Sequence, residues 1–329
     1  MNTQDNLRAE NSDKNYQYTF TVFTAAYNRA HTLNRVYEGL KLQTYNNFEW
    51  LVVDDGSSDN TRELLQQWQR ENAFLIRYIY QENQGKHIAF NVGVTQAKGE
   101  LFLNLDSDDE CLPNALERFK YYWDTIPLEE KHKFSAVTCL CKDQHGNLVG
   151  NRFPYDITDS DSLEIKYKYK VYGDKWGFHS TNVLKKYPFP QSVKNVYVPE
   201  IVVWNSIAKK FKTRFVNEIL RVYWIEGSSL SRGGKINRDS LGIRLAQSSI
   251  LNNDIYWLKF APKSFFISAM HYSRHSAHLG ISISEQFKDL KNTASKFIWI
   301  LALPFGYTLY LTDRAGLTKS LKFLLKKEY

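Results

Sequence analysis

Cysteine is scarce. Three residues in 329, Cys111, Cys139 and Cys141, are too few and too unevenly spaced for a disulfide framework, and a reduced, cytosolic setting is expected. Long apolar runs are missing as well. A spanning helix needs about 20 consecutive apolar residues, and the best candidate, Phe297 to Leu311, is broken by Pro304 and Gly306. Met1 to Gln17 has no apolar centre, which argues against a signal peptide or anchor and for a mobile polar leader, residues 1–17. Charge of one sign is not in large excess. The formal net charge of +8 favours anionic partners such as phosphates or acidic lipids, but the basic residues do not gather with aromatics on one motif, so no nucleic-acid partner is expected. Hydrophobic residues at 43% and aromatics at 15% are plentiful, enough for a sizeable core.

From Tyr18 the pattern alternates between strand and helix. Tyr18 to Phe23 reads as a strand, followed by the turn Thr24 to Arg29 and an amphipathic helix near Leu33 to Gln43 with Thr32 as its cap. Glu49 to Val53 is a second strand ending in the turn residues Asp54 to Ser58, and a helix starts at about Asn60. Leu75 to Tyr80 is a third strand. A helix follows Asn83 to His87, then an apolar fourth strand runs to Leu105, and another helix spans Pro113 to about Trp123. Strands separated by helical stretches of this length imply βαβ units and a parallel sheet, whose ligands bind at the carboxyl ends of the strands. Three polar clusters fall at such ends: Thr24 to Arg29, Asp54 to Ser58, and Asp106 to Asp109.

The third cluster carries the chemistry. Leu101, Leu103 and Leu105 give way to Asp106-Ser107-Asp108-Asp109, carboxylates whose mutual repulsion and hydration oppose burial side by side. Mg2+ or Mn2+ would resolve the conflict, because these hard ions take one or two carboxylates and leave positions for water and phosphate oxygens. The pattern therefore suggests a diphosphate held by a metal. The alternative is a plain loop and helix cap ahead of Leu112-Pro113.

The strings Thr24-Ala-Ala-Tyr-Asn-Arg29, Val52-Val-Asp-Asp-Gly-Ser-Ser-Asp59, Asn83-Gln-Gly-Lys86, Asn91-Val-Gly93 and Asp106-Ser-Asp-Asp109, in this order, resemble the family 2 glycosyltransferases. The resemblance runs from about Phe20 to Arg118 and continues weakly to Ser231; Ala25 stands where the family often has proline. It implies an α/β GT-A fold, a Rossmann-like nucleotide-diphospho-sugar transferase with a mixed sheet flanked by helices. Residues 18–238 would form this domain, and 239–329 a mainly helical, basic extension. It further implies a nucleotide-sugar site made by Thr24, Ala25, Tyr27, Arg29, Asp54, Asp55, Lys86, Asp106, Ser107 and Asp108, with Asp55 accepting from a uracil-type ring N–H. Asp106, Asp108 and Asp109 are the implied ligands of Mg2+ or Mn2+. Asn91 and Gly93 read as mainly structural.

Later stretches are less regular. Phe134 to Lys142 and Arg214 to Trp224 read as strands. Trp176-Gly-Phe-His179-Ser-Thr suits part of a sugar or acceptor pocket, with Trp176 and Phe178 equally suited to the core. Glu200, before the apolar run Ile201 to Phe211, is a first-turn acid favoured by the helix dipole or, by the resemblance, the catalytic base toward the acceptor hydroxyl. Asp109, Asp174 and Glu226 are its reserves. Gly227 to Arg232 resembles the loop that closes over the donor, where Arg232 or Lys235 would meet the diphosphate. His271, His275 and His278 share one helix face, but no acid stands nearby in sequence, so a metal site there is not expected. Arg314, Lys319, Lys322, Lys326 and Lys327 face only Glu328 in the final stretch, with Leu317, Leu321 and Leu324 at helical spacing. This end reads either as an interfacial segment drawn to an anionic leaflet or as an amphipathic helix docked on the catalytic domain.

The expectation is a metal-dependent inverting transferase moving a sugar, UDP-linked by preference, to a glycan or lipid-linked acceptor at the inner face of the cell membrane, with peripheral contact to that surface. One rival, a sugar-nucleotide nucleotidyltransferase, would want a glycine-rich loop after the first strand, and Thr24 to Arg29 has no glycine. Another rival is a silent nucleotide-sugar-binding scaffold.

Overall fold

The computed structural model describes residues 16–225 and 236–317. Strands β1 (Tyr18–Ala26), β2 (Phe48–Asp55), β3 (Ile76–Gln81) and β4 (Gly99–Asn104) pair in parallel in the order β3-β2-β1-β4. Every residue of β2 is buried, as suits a strand covered on both faces. Its one misfit, Glu49, is resolved locally: its carboxylate accepts from Thr21 Oγ1 at 2.7 Å, the Lys98 amide at 2.7 Å and Arg77 Nη1 at 2.8 Å.

The sheet then becomes mixed. After the two-residue β5 (Glu110–Cys111) come β6 (Phe134–Asp143), β7 (Ile157–Ser160), β8 (Lys175–Ser180) and β9 (Lys212–Tyr223). β8 is inserted antiparallel between β4 and β6, β9 runs parallel to β6, and β5 and β7 close the far edge antiparallel to β9. Gly177 makes the insertion fit, because a Cβ there would lie 2.1 Å from the Val137 carbonyl oxygen. Trp176 and Phe178 are both buried in the core; Phe178 is packing alone, whereas Trp176 also lines the cleft. Cys139 and Cys141 are two apart on β6, share its face and are buried as free thiols.

Alternation along the strands feeds two layers. Trp50 and Val52 face one layer with helices Leu33–Lys41, Thr61–Glu71 and Ala115–Asp124; there Tyr37 stacks on Trp68 with ring centres 4.4 Å apart. Leu51 and Val53 face the other layer, with Phe90 of helix Lys86–Gln96 and Val203 of helix Ile201–Ala208. The helices start and stop within a few residues of the sequence pattern. Thr32 stands at the N-cap position of the first helix, but its hydroxyl donates to the Arg29 carbonyl at 3.3 Å instead of capping.

Helices Ile236–Asn253, Pro262–His278, Ile283–Asp289 and Thr293–Arg314 build a separate core around Phe265, Tyr272 and Trp299. Leu163 and Tyr167 of the short helix Ser162–Tyr167 complete it. The last helix runs through Pro304 and Gly306 unbroken. Gly306 is needed for that packing, since a Cβ would lie 2.5 Å from the Met270 carbonyl oxygen. Two of the three histidines have polar partners from other helices, and His271 meets the His275 ring on its own helix. His278 pairs with Asp313 at 2.9 Å, beside a bidentate Arg274–Asp313 contact, and His275 Nδ1 meets Ser240 Oγ at 3.0 Å. The leader through Asn15, the stretch Glu226 to Lys235, and the end from Thr318, with Lys319, Lys322, Lys326 and Lys327, lie outside the described residues.

Candidate active-site cleft

A cleft of about 1670 Å³ opens at the carboxyl ends of β1, β2 and β4, where an α/β sheet of this type binds its ligands. Ala25, Tyr27 and Arg29 line it; Thr24 does not. The Thr24 hydroxyl is buried, accepts from Trp50 Nε1 at 3.0 Å and donates to the Leu105 carbonyl at 2.8 Å, so it ties β1 to the carboxylate turn. Asn28, at φ 55°, takes the Ser58 amide on its side-chain oxygen at 2.8 Å and joins the first polar cluster to the second.

The neighbouring aspartates divide their work. Asp54 is buried and shapes the turn, accepting from the Ser57 amide and the Tyr78 hydroxyl, both at 2.8 Å. Asp55 lines the cleft and accepts from Gln81 Nε2 at 2.7 Å and from the Gln84 and Gly85 amides at 2.9 and 2.8 Å. Two carboxylate oxygens offer about four acceptor positions, so one remains for a ring N–H. Asn91 exchanges hydrogen bonds with the Phe189 backbone, and a Cβ on Gly93 would lie 2.3 Å from the Phe23 ring. Both are structural, as expected.

At the end of β4 the carboxylates separate. Asp106 and Asp108 line the cleft with Ser107. Burial would raise the Asp106 carboxyl, but Lys86 and Arg221 outweigh it and hold it at about 2. Asp108 is pushed up by burial and by the charge of Asp106, against the pull of Arg29. Asp109 turns beneath the cleft. Its buried carboxylate accepts from the Trp224 amide at 3.2 Å and faces Arg221 Nη1 at 3.2 Å; burial pushes it up to about 7 despite Arg221. The expected trio of ligands therefore resolves into two carboxylates in the cleft and one below it.

Lys86 stands at the N-terminus of its helix and reaches both walls. Its Nζ lies 2.8 Å from Asp106 Oδ1 and 3.3 Å from Glu200 Oε1. Burial lowers its affinity for the proton, but the two carboxylates more than offset this, so the ammonium is held charged. Glu200 Oε2 accepts from Trp204 Nε1 at 3.3 Å, a partner one helical turn on. Trp204 in turn stacks on His179, ring centres 4.5 Å apart, and burial pushes this imidazole down to about 4.

Arg221, Trp204 and Tyr197 line the cleft without having been singled out in the sequence, whereas His179 lies in the stretch read there as a possible pocket wall. Of the first three, only Trp204 left a signal there, four residues after Glu200. Asp174 also lines the cleft, whereas Glu226, Arg232 and Lys235 fall outside the described residues.

Among the described residues no three His, Cys, Asp or Glu side chains converge to hold an ion unaided. Asp106 and Asp108 nevertheless fit a hard divalent cation that completes its shell with phosphate oxygens, and such a charge would relieve the repulsion that raises Asp108.

Known proteins share part of this sequence and its fold. Residues 21–128 match the model of glycosyl transferase family 2. The GalNAc(5)-diNAcBac-PP-undecaprenol beta-1,3-glucosyltransferase of Campylobacter jejuni is 27% identical over 283 residues, covering 82% of this chain and 85% of that one. A glycosyltransferase of Nostoc is 38% identical over 105 residues, 32% of this chain and 33% of its own length. Chondroitin synthase of Escherichia coli is 30% identical over 148 residues, 44% of this chain and 20% of that one. The chain thus spans about a third or less of the length of these last two relatives. Among solved structures, S. aureus TarS 1-349 in complex with UDP-GlcNAc superposes with a TM-score of 0.63 at 17% identity, over 91% of this chain and 92% of that one. Mannosyltransferase PcManGT from Pyrobaculum calidifontis, in complex with GDP-Man and Mn2+, gives a TM-score of 0.53 at 16% identity, over 95% and 89%.

Proposed function

The chain belongs to the family 2 glycosyltransferases and carries the GT-A fold, and from that premise we propose that it transfers a sugar, with inversion, from a nucleotide-diphosphate sugar to a hydroxyl of a glycan or lipid-linked acceptor. The donor is a UDP-sugar by preference, and the pathway is cell-surface polysaccharide synthesis at the inner face of the membrane. The observation that carries the reading is the Lys86 bridge: one ammonium touches both Asp106, on the donor side, and Glu200, on the opposite wall. Nucleotide-sugar complexes of the structural neighbours and the lipid-diphosphate acceptor in the name of the Campylobacter relative support the choice of substrates.

In this reading Ala25, Tyr27 and Asp55 hold the nucleoside, and Arg29 and Lys86 face the diphosphate. Asp106 and Asp108 hold Mg2+ or Mn2+, which when bound offsets the negative charge that grows on the leaving diphosphate. Glu200 removes the acceptor proton, a role that requires hydrogen-bond reach of the acceptor oxygen on the face of the sugar opposite the diphosphate. Trp204 and Lys86 orient that carboxylate. His179, neutral beside Trp204, is part of the wall and not the base.

The test is a panel of UDP-, GDP- and dTDP-sugars with Mg2+ or Mn2+, read by thermal stabilisation and by slow donor hydrolysis, with Asp108→Asn alongside. Metal-dependent stabilisation by one nucleotide series is expected, with hydrolysis reduced about a hundredfold in the variant and the melting temperature unchanged. Stabilisation with no turnover on any acceptor would leave a scaffold instead of an enzyme. No response to any donor would remove the reading.

A further inference from the structure

The helix Thr293–Arg314 has two unlike faces. Ile298, Trp299, Ala302, Gly306 and Leu309 are buried against the helical core. On the other side Phe297, Ile300, Leu301, Phe305 and Leu311 are 65%, 53%, 51%, 56% and 60% exposed. The turn of an α-helix brings these positions onto one side as an apolar stripe, roughly 21 Å long at the rise of an α-helix. A stripe of this kind on a water-facing surface marks an interaction site.

We propose that this stripe docks the enzyme on an anionic lipid leaflet, a step that rests on the membrane-face acceptor put forward above and names the surface that reaches it. Charge decides for lipid over a second protein copy. Lys296 and Arg314 bracket the stripe; Lys296 sits over the Phe287 ring at 4.5 Å and Arg314 donates to the Tyr310 hydroxyl at 3.2 Å, which leaves both charges for an outside partner. The sequence continues with Lys319, Lys322, Lys326 and Lys327 against Glu328 alone. Apolar side chains flanked by cations are what an anionic interface takes up, whereas a self-complementary dimer face would set these like charges together.

The helix is long and apolar enough to span a membrane by composition, yet it lies on the surface in this reading. Spanning would strip its buried face from the core, and with it the close Gly306 contact and the Asp313–Arg274 pair beside it. Docking on the exposed face leaves both in place. It also sets the cleft near the lipid, since Phe266 meets Phe305 at 5.5 Å while Lys263 and Ser264, within a turn of it on the same helix, line the cleft.

The experiment is flotation of the full chain with phosphatidylcholine vesicles, with and without phosphatidylglycerol, at low and high salt. Binding to the anionic vesicles alone, weakened by salt, is expected. Phe297→Ser with Leu301→Ser should lower the partition coefficient about tenfold or more, and Lys296→Glu with Arg314→Glu, which keeps every residue of the apolar stripe, should lower it as well. Donor hydrolysis in the absence of lipid should be unchanged in both variants; its loss in the parent chain would overturn the transferase reading and not this one. The proposal falls if the chain ignores anionic vesicles, if the serine variant floats like the parent, or if the parent is a dimer that the serine variant makes monomeric.

Discussion

Asp109 and Arg221 form a buried ion pair with side chains 2% and 6% exposed. The contact is imperfect: Asp109 Oδ2 and Arg221 Nε each lack a hydrogen-bond partner, so attraction offsets little of the desolvation. Such a pair adds little net stability, but removing Asp109 leaves the guanidinium charged and buried, and a lone buried charge costs about 3–5 kcal/mol. Asp109→Asn should fall near the lower end of that range, because Asp106 and Asp174 also act on the guanidinium. Arg221→Met should cost less, because Asp109, already pushed up to about 7, takes a proton once the arginine is gone. The double variant should lose less than the sum of the two, with a coupling on the order of 2 kcal/mol. Urea unfolding of the four proteins gives the cycle, and donor hydrolysis per folded molecule supplies the second axis. There Asp109→Asn should stay within about threefold of the parent while Asp108→Asn loses about a hundredfold. An Asp109→Asn protein with an unchanged unfolding midpoint and no metal-dependent hydrolysis would refute this placement and make Asp109 a ligand of the ion.

Glu200→Gln keeps the size and the Trp204 contact but cannot take a proton. Turnover on acceptor should drop about 10²–10⁴-fold with donor affinity, measured by calorimetry, little changed; full turnover would remove Glu200 as the base. His275 is pushed down to about 3 by burial and by the neighbouring His271, Arg274 and His278. Its folded pKa lies below the unfolded value of about 6.5, so the unfolded chain gains the proton first and stability is lost as pH falls from about 6.5 toward 3. Acid titration of the melting temperature should show this slope, and His275→Gln should flatten it; an equal slope in both proteins would place the loss elsewhere.

The parallel half of the sheet was legible in the sequence because its strands are covered on both faces and its turns carry the polar clusters at fixed places. β8 was not: it is as long as β3 and β4 but is inserted antiparallel, outside the repeat of parallel strand and helix that marked them. Shortness hid β5 and β7. Within the site, Asp106, Asp108 and Lys86 were readable as neighbours of strand ends. Their geometry was not: Lys86 and Glu200 lie 114 residues apart in sequence, and only the packing of helix Ile201–Ala208 on the sheet brings them together. Asp109 was indistinguishable from Asp108 by residue type. A bend of one residue at the strand end turns one carboxylate to the cleft and the other to Arg221.

The insertion of β8 between β4 and β6 makes a single sheet of a parallel half and a mixed half. The family match ends at residue 128, before β6 begins, and identity is 38% over a 105-residue match but 27% over 283 residues. The wall that carries Asp106 and Asp108 belongs to the parallel half, while the wall that carries His179, Trp204 and Glu200 is joined to it through the backbone hydrogen bonds of β8. In the proposed reading, exchange of the segments between β6 and β9 should change acceptor preference and leave the donor side in place. Chimeras that swap those segments among relatives are the natural route to new linkages.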